Sequence, residues 1–248
     1  MPASPQSVVP KLHTGTETSR VLDHPVTQSM SGSARETPAG EHAVRALLLQ
    51  GSLRLGLALP ASQIDRLMFY AQALLKWRRV YNLIGARTLR EVITHHLLDS
   101  LSVVSAVEGR RVLDMGSGAG LPGLPVAVVR PQIRMVLLEA NAKRTRFLEH
   151  AVRTLDLQNV EVVRERAENY NPPQRFDCIV SRALCSWPQF VTLAKPLLSE
   201  TGQLLAMKGR FEQHEQQPDN DIEIVAIRAL NVPGVPGKRC LVQGGRRA

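Results

Sequence analysis

The stretch VLDMGSGAGLPGLPVAVV, residues 112–129, constrains this chain more than any other. An apolar run ends in an acidic residue, Asp114. Glycines follow at Gly116, Gly118, Gly120 and Gly123, and the apolar pattern then resumes. Glycine permits backbone conformations and close approaches that side chains forbid, so this reads as a strand turning sharply into a helix. Such a turn points to an α/β domain with a binding crevice at the carboxyl end of its first strand.

The rest of the chain fits that frame. Beyond Gly109, apolar runs predict strands at 111–114, 135–139, 160–164, 176–181 and 203–208, with helices fitting between them. Two more strands are expected at 222–229 and 240–243, separated by the turn-forming VPGVPG, which suits an antiparallel hairpin at one edge. This alternation predicts a doubly wound, seven-stranded α/β sheet with right-handed crossovers. Residues 1–40, rich in Ser, Thr, Pro and Gly without an apolar period, are expected to be a disordered N-terminal tail. Residues 41–107 place apolar side chains at helical spacing and predict a helical lobe. Pro60-Ala61-Ser62 forms its internal break, and Thr88 caps its third helix. Residues 108–248 then form the ligand-binding domain.

Composition narrows the function. The formal charge is +9, and residues 1–40 contribute nothing to it: Lys11, Arg20 and Arg35 balance Glu17, Asp23 and Glu36. A basic folded region suits a polyanionic partner such as nucleic acid, although a soluble protein can be basic without one. The opening MPASPQSVVPKLHTGTETSR lacks a charged-then-apolar leader pattern, and no run approaches the length of a membrane span. Cys178, Cys185 and Cys240 have no CxxC spacing; free thiols in a reducing, cytoplasmic setting and no metal site are expected.

Two cofactors compete for the glycine loop. Gly118-x-Gly120-x-x-Gly123 spells a dinucleotide site, and Asp114-x-Gly116-x-Gly118-x-Gly120 spells an S-adenosylmethionine site. A pyrophosphate needs backbone N–H donors at the helix start. Asp114 opposes it with a carboxylate, and Pro122 and Pro125 remove donors. A sulfonium and an ammonium instead welcome the carboxylate, so S-adenosylmethionine is the expected cofactor. Glu139, about 20 residues on, is placed to accept from ribose hydroxyls, a feature common to both classes. Arg166-Ala167-Glu168 follows strand three, where adenine would lie.

The methyl acceptor is harder to read. Asn171-Pro172-Pro173 precedes strand four rather than following it, so it reads as a loop. Cys185 reads as packing rather than as a nucleophile. An acceptor such as guanine N7 carries a free lone pair and no proton. It would need positioning and charge stabilisation but no general base.

Taken in order, LLKWRRVYNLI, HHLLDSL, VLDMGSGAGLPGLPVAVVRP, LLEANAKRTRFLEH, RAE, FDCIVSRA and AMKGR resemble the RsmG (GidB-type) rRNA guanine-N7 methyltransferases from about Glu41 to Arg247. The resemblance implies a Rossmann-like class I methyltransferase fold and transfer to N7 of one guanine in 16S rRNA, on the small ribosomal subunit or its precursor; a cytoplasmic protein is expected, with a monomer as the default. It implies cofactor contacts at Gly116, Leu121, Ala167, Glu168 and Arg182, beside Asp114, Gly118, Gly120 and Glu139 of the loop reading. It places Asn82, His96, Asp99 and Ser100 in the cleft facing RNA, and Lys143, Arg144 and Lys208 at phosphate or the target base. Arg182 and Lys208 are the expected catalytic residues. Departures from the family pattern are Ala119 for Pro, Glu139 for Asp, Ile84 for Thr and His95 for Arg. A noncatalytic RNA- or ribosome-binding module retaining the fold is the competing expectation.

Overall fold

Strand β1, Arg111–Met115, is apolar on both faces because it is covered on both. A computed structural model describes residues 38–81, 83–216 and 219–247. The expected disordered tail and Asn82 therefore fall largely or wholly outside the described residues, although helix α1 already runs from Pro38 to Arg54. The remaining strands are β2 Arg134–Leu138, β3 Val160–Val163, β4 Phe176–Arg182, β5 Leu198–Lys208, β6 Ile222–Ala229 and β7 Cys240–Arg246.

They form one seven-stranded sheet in the order β3-β2-β1-β4-β5-β7-β6. The first five strands are parallel. The last two form the expected hairpin, with β7 inserted antiparallel beside β5 and β6 at the edge. Strand order reverses between β1 and β4, and the glycine loop leaves β1 at that switch point.

Alternating side chains divide the core between the two faces. Val112, Leu137, Cys178, Val180 and Leu205 point to one side, and Leu113, Val136, Leu138, Ile179 and Leu204 to the other. The first side is deep. It is covered by α1, α2 (Ala61–Tyr81), α5 (Gly123–Val129), α6 (Ala142–Thr154) and a helix built in three parts: α3 (Leu89–Val92), a π-helical stretch (Ile93–Leu98) and α4 (Asp99–Leu101). Helices 38–101 share one continuous buried core with the sheet.

The second side carries α7, Trp187–Ala194, whose Trp187, Phe190, Val191 and Ala194 are buried. The expected helix between β3 and β4 is absent among the described residues. RERAENYNPPQR has no apolar face of helical spacing and contains two adjacent prolines that cannot donate to a helix. Tyr170 fills the space instead, 6.3 Å from the Phe176 ring, while Arg111 stacks 4.8 Å over that ring.

Local signals explain the helix ends. Thr88 accepts from Glu91 N–H at 3.2 Å, and Glu91 accepts from Arg87 N–H at 2.6 Å, a reciprocal cap. Asn141 accepts from the N–H groups of Lys143 and Arg144 to start α6. The Trp77 ring lies 5.6 Å from that of Phe147 and 5.0 Å from that of His150. Phe147 is fully buried and also stacks 6.4 Å from Tyr70, so it joins α6 to α2. Phe147→Ala should lower the unfolding free energy by about 3–5 kcal/mol, read from the shift of the urea midpoint at unchanged slope.

Candidate active site

The glycine loop is held from inside. Gly116 and Ser117 N–H donate to Leu138 O at 2.9 and 3.0 Å, joining the ends of β1 and β2. Gly118 N–H donates to Glu139 Oε2 at 2.9 Å, and Gly123 N–H to Asp114 Oδ2 at 2.9 Å. Gly120 and Leu121 N–H both reach Ser117 O, and Leu124 N–H reaches Gly120 O. These donors of the turn are satisfied within the protein, and Pro122, at the N-cap of α5, has none to offer. A pyrophosphate would find no ring of free N–H groups here.

The glycines divide their duties. At Gly118, φ is +59° and an added Cβ would meet only Gly116 O at 3.9 Å, so this residue presents bare backbone to open space. At Gly120, φ is +88° and a Cβ would stand 2.5 Å from Leu124 Cδ1, so the constraint there is packing beneath the loop. Gly116 is roofed by Leu184, whose Cδ1 lies 2.5 Å from where a Cβ would be. Leu121 is buried behind the loop.

Asp114 corrects the simplest reading of its carboxylate. It is fully buried, and one oxygen serves the loop's own backbone instead of facing an open crevice. Oδ1 has no hydrogen-bond partner among the described residues. Burial pushes the carboxyl up to about 7, against the opposing pull of Gly123 N–H, Arg182 and Ser117. Glu139, just beyond β2, is also nearly buried. Its Oε1 accepts from Asn141 N–H at 2.7 Å, and Arg144 stands 3.8 Å from Oε2.

Arg182 ends β4 and reaches across to the helices. Its guanidinium donates to Asp99 Oδ2 at 3.1 Å and to His96 Nδ1 at 3.4 Å, and comes within 3.5 Å of His95 O. Asp99 Oδ1 faces Arg239 at 3.6 Å, so the hairpin loop after β6 joins the cluster. Burial and the neighbouring Arg182 push His96 down to about 4, which keeps the imidazole neutral and able to accept. The next residue, Ala183, has φ +52°, an uncommon conformation for a side chain with a Cβ, and turns the chain sharply after Arg182. Ser181 Oγ fixes the same strand end by donating to Met115 O at 3.0 Å.

The remaining expected site residues separate. Ala167 is half-buried and Glu168 exposed in the turn after β3, beside a hollow of about 430 Å³ lined by Ala140, Arg164, Glu165, Arg166 and Asn169. Lys143 and Arg144 are exposed at the start of α6. Ser100 does not face the cleft: it is fully buried and its hydroxyl finds no partner among the described residues. Lys208 is mostly buried at the end of β5. It is ion-paired to Glu215 and donates to Cys185 O at 3.3 Å.

Sequence reasoning missed three residues. Tyr70 donates from the buried face of α2 to Ala119 O in the loop, and Arg182 and Asp114 both act on its phenol, which burial raises well above its usual range. In the sequence it looks like any core aromatic at helical spacing. Arg239 lies in an irregular segment and Glu215 ends a single 3-10 turn, Gln213–Glu215; neither has a periodicity that marks it in the sequence.

Comparison with known proteins bears on the family and the fold. The family model described as rRNA small subunit methyltransferase G matches residues 63–242. A ribosomal RNA small subunit methyltransferase G of Nitrosococcus oceani is 47% identical over 198 residues, covering 79% of this chain and 92% of its own. Another, of Laribacter hongkongensis, is 43% identical, covering 81% and 97%. Among solved structures, magnesium protoporphyrin IX methyltransferase of Synechocystis, with bound S-adenosylmethionine, superposes with TM-score 0.53 at 15% identity over 77% of this chain and 99% of that one. A glycopeptide N-methyltransferase complexed with S-adenosylmethionine gives 0.51 at 11% identity over 62% and 88%. Those two share the class I methyltransferase fold with this protein, and sequence carries the assignment further: the chain belongs to the rRNA small subunit methyltransferase G family.

Proposed function

We propose that this protein transfers the methyl group of S-adenosylmethionine to N7 of a guanine in 16S rRNA, on the small ribosomal subunit or its precursor. We further propose that it acts as a cytoplasmic monomer. Among the described residues no helix is long and apolar enough to cross a membrane. The observation that carries the cofactor is the loop in which seven backbone N–H groups, at 116, 117, 118, 120, 121, 123 and 124, already have acceptors, with a buried carboxylate oxygen left unpaired behind it. That environment fits a cationic ligand and not a phosphate.

S-adenosylmethionine, when bound, supplies an electrophilic methyl on a cationic sulfur. Glu139 would receive the ribose hydroxyls. Ala167 and Glu168 would border the adenine, Gly116, Gly118 and Leu121 would shape the loop side, and Asp114 would add negative charge from beneath. The N7 lone pair forms the new N–C bond as the S–C bond breaks, its electron pair staying on sulfur. The positive charge passes to the purine, and no proton moves. Among the described residues the crevice offers no strong base, which matches that need: His96 is neutral and already accepts from Arg182. Arg182 holds a guanidinium at the crevice rim, fixed by Asp99, and the exposed Lys143 and Arg144 offer cations for phosphate.

The direct test is incubation with labelled S-adenosylmethionine and small subunits from a strain lacking this modification, followed by borohydride–aniline cleavage, which reports N7-methylguanine. Label at one guanine is expected; RNA binding without cofactor binding would restore the noncatalytic alternative. Arg182→Ala should reduce transfer by about 10²-fold and also lower stability, because it leaves the nearly buried Asp99 with only its longer contact to Arg239. Arg182→Ala/Asp99→Asn should recover the melting temperature without recovering transfer.

Asp114 adds a pH signature. Its folded-state value near 7 lies above the ordinary 3.8, so the native state holds an extra proton between those values and loses stability as pH rises through that window. Asp114→Asn, which keeps an acceptor for Gly123 N–H, should stabilise the protein more at pH 8 than at pH 5 in thermal melts. A cationic cofactor favours the ionised carboxylate. Its affinity for the unsubstituted protein should therefore rise with pH through about 7, with a proton released on binding, as calorimetry in buffers of different ionisation enthalpy will show.

A further inference from the structure

Helix α6 carries cations in a line. Arg146, His150 and Arg153 follow one another at helical spacing, so they share one side of the helix over about 10 Å. Arg146 and Arg153 are exposed, His150 is half-buried, and Glu149 is the helix's single carboxylate. Lys76, exposed near the end of α2, meets this line across the seam between the two helices. Burial, and then the positive charges of Arg153 and Lys76, hold the His150 imidazole below its ordinary range. That ring marks where cations from two helices converge.

The seam is firmly packed. The Trp77 ring from α2 bridges His150 and the fully buried Phe147 of α6. Among the described residues Lys76, Arg146 and Arg153 form no ion pair, whereas Arg45, Arg175 and Lys195 elsewhere on the surface each have a carboxylate. Like charges crowded on two fixed helices repel one another, and a polyanion relieves that repulsion. The line also has a direction. Helix α6 starts at the carboxyl end of β2, capped by Asn141 beside Glu139, and returns along the sheet. Its cations therefore lead from the crevice rim down the flank of the molecule.

We propose that the seam between α2 and α6 is a docking surface for the sugar–phosphate backbone of the rRNA flanking the modified guanine, gripped by Lys76, Arg146 and Arg153. The proposal rests on the rRNA reading above and extends it to a surface that touches no reacting atom. Phosphate contacts fix register and orientation but carry no sequence information. This surface thus positions the RNA and leaves the choice of base to the crevice. Trp77 and His150 are packed against each other, so the grip comes from charge and not from base stacking. An anionic membrane is a poorer fit. A helix that lies on lipid needs a free apolar face to insert, and Phe147, Leu148 and Ala151 of α6 are buried in the core.

The experiment measures binding of the full-length protein to 16S rRNA over a range of potassium chloride concentrations. Lys76→Gln/Arg146→Gln/Arg153→Gln changes exposed positions only, so its melting temperature and its calorimetric affinity for S-adenosylmethionine should match those of the unsubstituted protein. Its slope of log Kd against log salt should shrink by about 2–3, each single substitution accounting for about 1. Its KM for small subunits lacking the modification should rise roughly 10- to 100-fold, with kcat within a few-fold. Arg146→Lys/Arg153→Lys should keep the slope, because a phosphate contact needs the charge and not the fork. Arg54→Gln/Arg110→Gln/Arg228→Gln, which removes equal charge from exposed positions elsewhere, should leave slope and KM unchanged. An undiminished slope in the triple variant and in all three single variants overturns the proposal, as does an equal fall in the control. Loss of binding to phosphatidylglycerol vesicles or to polyglutamate, with RNA binding intact, gives the surface to another partner and overturns it too. The slope needs no methyl transfer, so failure to methylate any guanine removes the functional reading as a distinct result.

Discussion

Seven backbone N–H groups around the glycine turn, at Gly116, Ser117, Gly118, Gly120, Leu121, Gly123 and Leu124, all find acceptors inside the protein. Two of those acceptors are carboxylates, Asp114 below and Glu139 beside. The turn is thus held by the protein's own acceptors, two of them carboxyl groups. A phosphate-binding turn of the same spelling would leave those donors outward. The distinction between the two cofactor classes lies in where the N–H groups point, and only the fold reveals that.

The helices before the sheet belong to the site as much as the strands do. Tyr70 holds the glycine loop from α2, and Asp99 and His96 hold Arg182 from the three-part helix. The π-helical stretch matters here. Its wider turn accompanies a carbonyl at His95 that comes within reach of Arg182. Arg239, from the hairpin at the far end of the chain, closes the same cluster on Asp99. Segments more than 80 positions apart in sequence therefore meet at one guanidinium.

Much of this was legible beforehand, and the reasons differ by residue. The strands were visible because each is short, apolar and bounded by turn residues, and β6 matches its expected limits. The hairpin was visible in VPGVPG. The missing helix between β3 and β4 was misread by extending a rhythm over a segment that lacks an apolar face. At the site, Gly118 and Arg182 could be read from motif and position. Ser100 could not: its burial depends on packing from outside its own helix. Tyr70 was hidden because a buried hydroxyl and a plain core ring look alike in a helical pattern, and Glu215 because a pairing across a loop has no period. Asp114 was found for the right acidity, but its orientation inward, toward Gly123, is a tertiary fact.

The unbroken core linking the early helices to the sheet has a practical consequence for anyone wishing to borrow this catalyst. A fragment begun at the first strand would retain the whole glycine motif. It would still arrive without the phenol that props the loop and without the carboxylate that aims the guanidinium. The smallest transplantable unit is therefore a helical collar together with its sheet, and a chimera that swaps one without the other would carry a motif stripped of its scaffold.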